Sequence, residues 1–373
     1  MALALTALAC LLLLAHLGAA GLYLHRLQRP KPATGVIGQP FVTLLRPVCG
    51  LDAFDEETLQ SSFAQEYPRY EIIFCAQSAD DPVVGLVNRL IARNPHVPAR
   101  LLIGLDRISG NPKLNNVLKG WNAATGDWVC MTDSNLLLPP DYLGTVVGSW
   151  GPATGLVSSP PVGIRPQNMG GALECAFLNS NQALLQCAAA SVGPGFAQGK
   201  TLFFNKSLME HAGGLRALGE TLAEDAAATR ITRAMGREVT LTPLPFAQPI
   251  GRRTLAQVWN RQLRWSRVRR DAFPTLFAFE VLNGGVVPIA ATFAALHLTG
   301  ADPVFGVYYA AVWYLAEICV AARAGWPLGL HTLPILVLRD LLMLPLWLAT
   351  FLRRGFDWRG TALSPAPSAL PAE

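Results

Sequence analysis

The stretch Asp127-Trp128-Val129-Cys130-Met131-Thr132-Asp133-Ser134-Asn135 carries the reading of the chain. Its apolar, β-prone residues are too few for a helix and show no helical period, so Asp127–Thr132 reads as a buried strand. The strand runs straight into an acid. Asp-Ser-Asn is also ordinary turn chemistry, so the triplet alone leaves turn and site both open. Outward from it, Phe41–Leu45, Tyr70–Ala76, Arg100–Leu105 and Gly155–Ser158 have the same strand character. Between them, 52–66, 82–94, 113–125 and 139–149 read as helices. Strand–helix alternation predicts an α/β domain with a mostly parallel sheet and helices on both faces. Ligands of such sheets bind at the carboxyl ends of the strands, so the residues just after each strand are the ones to inspect.

The chain has 373 residues, 51% hydrophobic and only 15% charged, with net charge +5. That charge is too mild, and too free of Lys-rich runs, to point to nucleic acid. The basic residues are mostly Arg, clustered beside apolar segments, which suits a membrane surface. The seven cysteines are odd in number, scattered and without a C-x-x-C pair, so they suggest neither zinc nor a disulfide framework. Arg-rich, Lys-poor, Ala- and Leu-heavy usage points to a bacterium with a GC-rich genome, hence to its inner membrane.

Both ends of the chain are apolar. Residues 2–24 match the ~20 residues of a spanning helix. The basic residues follow that run, at Arg26, Arg29 and Lys31, and none precedes it. This favours an uncleaved anchor over a signal peptide and directs the following chain to the cytoplasm. Toward the C-terminus, 275–298, 304–322 and 328–352 are candidate membrane segments. They contain Glu280, Glu317, Arg339 and Asp340, which are expected to face the protein interior or an interface. Three full spans would put Arg353, Arg354 and Arg359 on the wrong side, so one segment is expected to be re-entrant or interfacial, or the rule fails here.

Four polar constellations punctuate the middle. Asp80-Asp81-Pro82 follows the second strand and doubles as a helix cap. Asp133-Ser134-Asn135 ends the fourth. Glu224-Asp225 opens a helical stretch, where acids also suit the helix dipole. Arg261-Gln262-Leu263-Arg264-Trp265 precedes the membrane segments and doubles as their basic flank. Between the first two lies Gly110-Asn111-Pro112-Lys113, a lysine at a helix start able to face a phosphate. In this order the acids suit a nucleotide-sugar site: one acid for the nucleoside, one at a strand end for a divalent metal on the diphosphate, one as base.

These residues resemble the ceramide glucosyltransferases of glycosyltransferase family 21, marked by three spaced aspartates followed by (Gln/Arg)-x-x-Arg-Trp. The matching positions are Asp81, Asp133, Asp225 and Arg261 to Trp265. Further similarity runs through Leu44-Leu45-Arg46-Pro47, Gly110-Asn111-Pro112-Lys113 and Gly213-Gly214-Leu215. Gly163-Ile164-Arg165-Pro166 and Phe196-Ala197-Gln198-Gly199-Lys200 look closest to bacterial members. The resemblance implies a GT-A, Rossmann-like cytosolic catalytic domain and inverting transfer of a hexose, glucose foremost, from a UDP-sugar to the primary hydroxyl of ceramide. By this resemblance Asp81 and Lys113 would serve the donor, and Asp133 with Asn135 would hold Mg²⁺ or Mn²⁺. Asp225 would be the general base, Arg261 and Arg264 would hold diphosphate oxygens, and Trp265 would offer a flat face to sugar or acceptor; Gln198, in a stretch between the second and third acids, is expected to line the acceptor site. Asn135 stands where many related enzymes carry a second aspartate.

The expected organisation is an anchor at 1–27, a linker at 28–40 and the catalytic domain at 41–250. A basic interfacial helix at 251–273, membrane helices at 274–352 and a flexible tail at 353–373 follow. The partners expected are a UDP-hexose, a lipid acceptor and the bilayer, with no nucleic acid. Other lipids, a hopanoid polyol or diacylglycerol, fit the same acids. A processive polysaccharide synthase would need more spans. A transporter or scaffold with a degenerate nucleotide-sugar domain would show repeated, interrupted spans, which this chain lacks.

Overall fold

The computed structural model describes residues 1–28, 36–221, 223–352, 356–358 and 361–363. The expected linker falls largely on 29–35 and most of the expected tail on 364–373, both outside the described residues. The strands are β1 (Val42–Pro47), β2 (Tyr70–Ala76), β3 (Ala99–Ile103), β4 (Trp128–Thr132), β5 (Thr154–Ser158), β6 (Pro161–Pro166), β7 (Thr201–Asn205), β8 (Glu238–Leu241) and β9 (Phe246–Gly251). A short hairpin, 356–358 with 361–363, closes the described chain. The chain divides into two compact units. One comprises Pro30–Pro161, Val192–Pro249 and Gly355–Glu373, and the other Met1–Arg29, Val162–Ser191 and Ile250–Arg354.

The first unit is built on a seven-stranded sheet of order β3-β2-β1-β4-β7-β5-β8. β1 pairs in parallel with β2 and β4, β2 with β3, and β5 with β8. β7 runs antiparallel to both β4 and β5. The sheet is therefore mostly parallel, as the alternation predicts, and the five expected strands stand within two residues of their expected ends. Strict alternation supplies two cores. Leu44, Ile72, Phe74, Cys130 and Phe203 face one side, and Leu45, Ile73, Cys75, Met131 and Leu202 face the other. Burial on both faces is the reason these strands read as near-continuous apolar runs. The helix Pro112–Ala123 lies directly on β1 and β2, because Gly120 brings no Cβ to the contact: one there would collide with Leu45 and Cys75.

Among the described residues the second unit holds three helices long and apolar enough to cross a membrane: Ala2–Leu27, Val304–Ala324 and Thr332–Leu352. The expected segment 275–298 is a pair, Pro274–Asn283 and Val286–Thr299, bent by 58°. The break falls at Gly284-Gly285, where the Gly285 N–H donates to Asp340 Oδ2 at 2.8 Å instead of to a helical carbonyl. Within the unit, Ala2–Leu27 and Val304–Ala324 run in the same direction. Tyr309 reaches the Ala9 carbonyl, His16 stacks on Trp313 with ring centres 3.8 Å apart, and Tyr23 meets Trp326. Each step up one helix is a step up the other.

The segment Val162–Ser191, expected inside the catalytic domain, groups with the membrane helices instead. Its Leu173, Ala176 and Phe177 share a core with Trp313, Ile335 and Leu336. Apolar residues on a short helix carry no label of which core they join, so a contiguous 41–250 domain was the simplest expectation. The membrane-helix charges do turn inward: Arg339 grips Glu317 through two bonds of 2.7 and 2.9 Å and also pairs with Asp340, all buried. Glu280 pairs with Arg269 through Nε at 2.8 Å.

Gly120→Val should overpack the contact of its helix with β1 and β2 and destabilise the first unit by about 1–3 kcal/mol. The check is a thermal melt of the full chain in detergent, with unchanged unfolding counting against this packing account.

Candidate active site

The site grows from the carboxyl end of β4. β7 pairs beside β4 with Thr132 opposite Thr201, and the Asp133 N–H donates to the Lys200 carbonyl. This register sets Lys200 next to Asp133, although 66 residues of chain separate them. Lys200 Nζ lies 2.8 Å from Asp133 Oδ2 and donates to Asn135 Oδ1 at 2.9 Å. Lys113 Nζ comes from the other side, 2.6 Å from Asp133 Oδ1. Lysine is scarce in this chain, five in all, and two of the five meet on one carboxylate. Burial alone would raise the pKa of Asp133. The two ammonium charges and their hydrogen bonds outweigh it and hold the carboxyl well below the usual range.

Lys113 is delivered by the first turn of the helix Pro112–Ala123. Asn111 caps that helix, accepting the Lys113 N–H at 2.9 Å, while its Nδ2 donates to Glu224 Oε2 at 2.8 Å. Lys113 Nζ lies 2.8 Å from Glu224 Oε1 and donates to the Gly199 carbonyl at 2.6 Å. One ammonium thus joins Asp133 to Glu224. Burial would lower the Lys113 pKa, but the two carboxylates outweigh it and push it up.

Asp225 opens the helix Glu224–Ala234. Its Oδ2 accepts the Gly199 N–H at 3.0 Å and its Oδ1 the N–H of Ala226 at 2.8 Å. Gly199 can approach because it has no side chain: a Cβ there would stand 2.8 Å from Glu224 Oε1. Burial first, and the neighbouring Glu224 charge second, raise the Asp225 pKa to about 6. The result is one carboxylate kept anionic by two cations, and a second poised to exchange a proton near neutrality.

The floor under Asp133 is Arg46, wholly buried in β1. Its guanidinium donates to the carbonyls of Asp133, Ser134 and Leu136 at 2.9–3.2 Å and to Ser62 Oγ at 2.9 Å. Nη2 serves all three carbonyls and Nη1 the Ser62 hydroxyl, so the planar guanidinium spans the loop and Ser62 at once. Burial lowers its pKa to about 10, and it remains charged.

The other expected residues are placed as follows. Asp81 caps the helix Pro82–Arg93 through the Val83 N–H and also accepts the Gly50 N–H at 2.9 Å, tying together the chain ends after β1 and β2. Gln198 is held by its backbone, donating its N–H to Ser158 Oγ at 2.8 Å and accepting the Ser158 hydroxyl at its carbonyl. Arg261, Arg264 and Trp265 belong to the second unit, on the helix Leu255–Ala272. There Arg261 lies 3.1 Å from the buried Glu174 and 4.9 Å from the centre of the Trp265 ring. Sequence reasoning did not give roles to Arg46, Asn111 or Lys200, nor the Lys113 contact to Glu224. Their signal was present only as scattered matches and as the scarcity of lysine.

No group of three or more His, Cys, Asp or Glu suited to a metal occurs among the described residues. Asp133 and Asn135 nevertheless carry hard oxygens on one loop, each bonded here to the Lys113 or Lys200 ammonium that a metal would displace. That donor set fits Mg²⁺ or Mn²⁺ when substrate phosphates supply the remaining ligands.

The family profile described as glycosyl transferase family 21 matches residues 1–367. The chain belongs to that family. Among curated relatives, ceramide glucosyltransferase 1 of Caenorhabditis elegans is 27% identical over 263 residues, covering 70% of this chain and 55% of the worm protein. The ceramide glucosyltransferase of Komagataella phaffii is 46% identical over 99 residues, covering 26% of this chain and 19% of the yeast protein. The chain thus matches little more than half the length of the worm protein and less of the yeast one. A solved structure, the mannosyltransferase PcManGT from Pyrobaculum calidifontis in complex with GDP-Man and Mn²⁺, aligns over 93% of this chain and 95% of its own. Its TM-score is 0.51 at 22% identity. That likeness shows the fold, the GT-A arrangement that the motifs implied.

Replacing Arg46 with Lys keeps the charge but leaves one nitrogen where two separate ones serve the loop carbonyls and Ser62. The loss should cost about 2–3 kcal/mol of stability and loosen the loop 133–136. Thermal unfolding and proteolytic nicking at that loop would report both effects, and a wild-type melting curve would count against the role.

Proposed function

We propose that this chain is a membrane glycosyltransferase that moves a hexose, glucose foremost, from a UDP-hexose to the primary hydroxyl of ceramide with inversion at the anomeric carbon. The observation that carries the reading is Asp225. It is a partly buried carboxylate with its pKa raised to about 6, oriented by the Gly199 and Ala226 N–H groups, in the same network as the paired Lys113 and Lys200.

In this scheme Asp225 accepts the proton of the acceptor hydroxyl. The hydroxyl oxygen forms a bond to the anomeric carbon, and the bond from that carbon to the diphosphate oxygen breaks. UDP departs with the bonding pair. At pH 7 a carboxyl of pKa about 6 is mostly ionised, so the base is ready, yet basic enough to take a proton. Asp133 and Asn135 would hold the divalent metal, which when bound offsets charge on the diphosphate. Lys113 and Lys200 supply positive charge at the same strand end, and Asp81 would meet the uridine. Gln198 would line the acceptor site. Arg264 and Trp265 would complete the machinery. Arg261, already engaged by Glu174, would position Trp265 as much as hold phosphate.

The acceptor reading rests on the membrane helices carried in the same chain and on the curated family members named for ceramide. By the positive-inside rule the basic end of Ala2–Leu27, with His25 and Arg26, faces the cytoplasm, and the sheet-bearing unit is cytosolic. An inner-membrane location in a bacterium follows from the composition.

Membranes containing the chain, given UDP-[¹⁴C]glucose with Mg²⁺ or Mn²⁺, should label ceramide in preference to diacylglycerol or a hopanoid polyol. Label on another lipid would move the acceptor assignment. Chelation should abolish transfer, and either metal should restore it. Asp225→Asn should leave UDP binding unchanged and lower turnover by about 10²–10⁴-fold; near-normal turnover would remove Asp225 from the base role. Activity should also fall about tenfold per pH unit below an apparent pKa of about 6 and level off above it, since only the ionised carboxylate accepts the proton. A flat profile between pH 5 and 8 would contradict this.

A further inference from the structure

The membrane unit contains a cavity of about 400 Å³, and nothing in the transfer chemistry uses it. Its wall is mostly apolar, built by Ala172, Ala176, Ala321, Trp326 and Leu336. The small residues make the space: Ala172 and Ala176 stand one turn apart on the helix Met169–Ala176, with Ala321 on Val304–Ala324. Ligand pockets run roughly 300–1,000 Å³ and are mostly apolar with a few fixed polar groups. An apolar cavity of ~150 Å³ holds a benzene ring, so this one has room for on the order of a dozen chain carbons.

Two further observations mark the same place. One wall is a π-helix, Phe177–Ala183, a rare element frequent at functional sites, and it sets Asn179 and Ser180 on the cavity. Asn179 is fixed there by bonds to both the N–H and the carbonyl of Gly163, at 2.6 and 3.0 Å. The other is Glu317, which lines the cavity from within a membrane helix. A charge kept at that depth is costly, and such residues mark function more often than packing. Both Glu317 oxygens accept from Arg339 and one also accepts the Ser180 hydroxyl; a carboxylate has roughly four acceptor positions, so one is left for a further N–H.

The entrance also has a character. Leu328 and Leu330, on the cavity's rim, are 45% and 98% exposed, which suits contact with lipid. Since Val304–Ala324 runs parallel to Ala2–Leu27, its C-terminal end, with Arg323 and Trp326, lies on the same side as Arg26. That is the cytoplasmic side by the positive-inside rule.

We propose that this cavity receives one hydrocarbon chain of an amide-bearing membrane lipid, entering from the cytoplasmic leaflet, with the Glu317 carboxylate accepting the N–H at the root of that chain. The assignment rests on the lipid-acceptor reading above and adds to it a reason for preferring an amide over an ester lipid. The residues named here bind and select the acceptor, and no proton or bond transfer passes through them.

The test uses the full chain in phosphatidylcholine nanodiscs and a ceramide analogue with a photoactivatable group in its acyl chain. Labelled peptides should map to 169–180 and 317–336. Ala321→Phe and Ala176→Phe, two independent ways of filling the cavity, should abolish that label. They should also raise the ceramide KM about tenfold or more, with kcat and UDP binding within twofold of wild type. Glu317→Gln should reduce the advantage of ceramide over chain-matched diacylglycerol in displacing the probe by about tenfold, the scale of one hydrogen bond to a charged group. Label elsewhere, an unchanged KM in both filled variants, or an intact ceramide preference in Glu317→Gln would each overturn the proposal. Wild-type chain that labels in the cavity yet glycosylates no lipid would support the cavity and overturn the acceptor reading instead. Ceramide glycosylation with a normal KM in both filled variants would do the reverse.

Discussion

Asp133 ends β4 at a place where a lone carboxylate would be expensive, and two ammonium groups hold it there. The rest of the site follows from that pairing. Lys200 reaches Asp133 only because β7 lies antiparallel beside β4, and Lys113 reaches it only because Asn111 caps a helix start on the opposite side. Lys113 in turn fixes Glu224, and Glu224 sits beside Asp225 and helps raise its pKa. A carboxylate kept charged and a carboxylate made basic are thus two ends of one chain of contacts. Beneath them Arg46 ties down the loop carrying Asp133 through main-chain carbonyls, so its role is insensitive to which side chains that loop bears.

The membrane unit solves a related electrostatic problem in a drier setting. Glu317, Arg339 and Asp340 satisfy one another, and Asp340 also accepts the Gly285 N–H at the break between two helices. The same acid therefore balances a buried cation and caps a broken helix. Charges that read as liabilities in an apolar segment are, in three dimensions, what fixes the bend and lines the cavity.

Much of this was legible in the sequence, for identifiable reasons. The sheet strands read clearly because burial on both faces makes them apolar runs, and β2 was expected at its observed limits, Tyr70–Ala76. β6 to β9 went unnoticed: Thr201–Asn205 is as long as β4, but it pairs antiparallel with strands far away in the chain, and the other three lie outside the first run of alternation. The aspartates stood out because acids after strands are conspicuous. Lys200 did not: it closes the stretch Phe196–Lys200, but nothing in that stretch points to an acid 67 positions earlier. Its significance comes from a strand pairing across the chain.

By itself the sequence determined the α/β alternation, the apolar helices at both ends, the order of the acids and, through that order, the family. These are local or periodic properties, written in neighbouring residues. Only the tertiary structure decided that Val162–Ser191 joins the membrane helices, that Asp133 is shared by Lys113 and Lys200, and that Arg261 is engaged by Glu174. It also decided that small residues on separate helices leave a cavity beside Glu317. Each depends on which distant segments share a core or a ladder, and burial and charge pairing settle that only once the whole chain is folded.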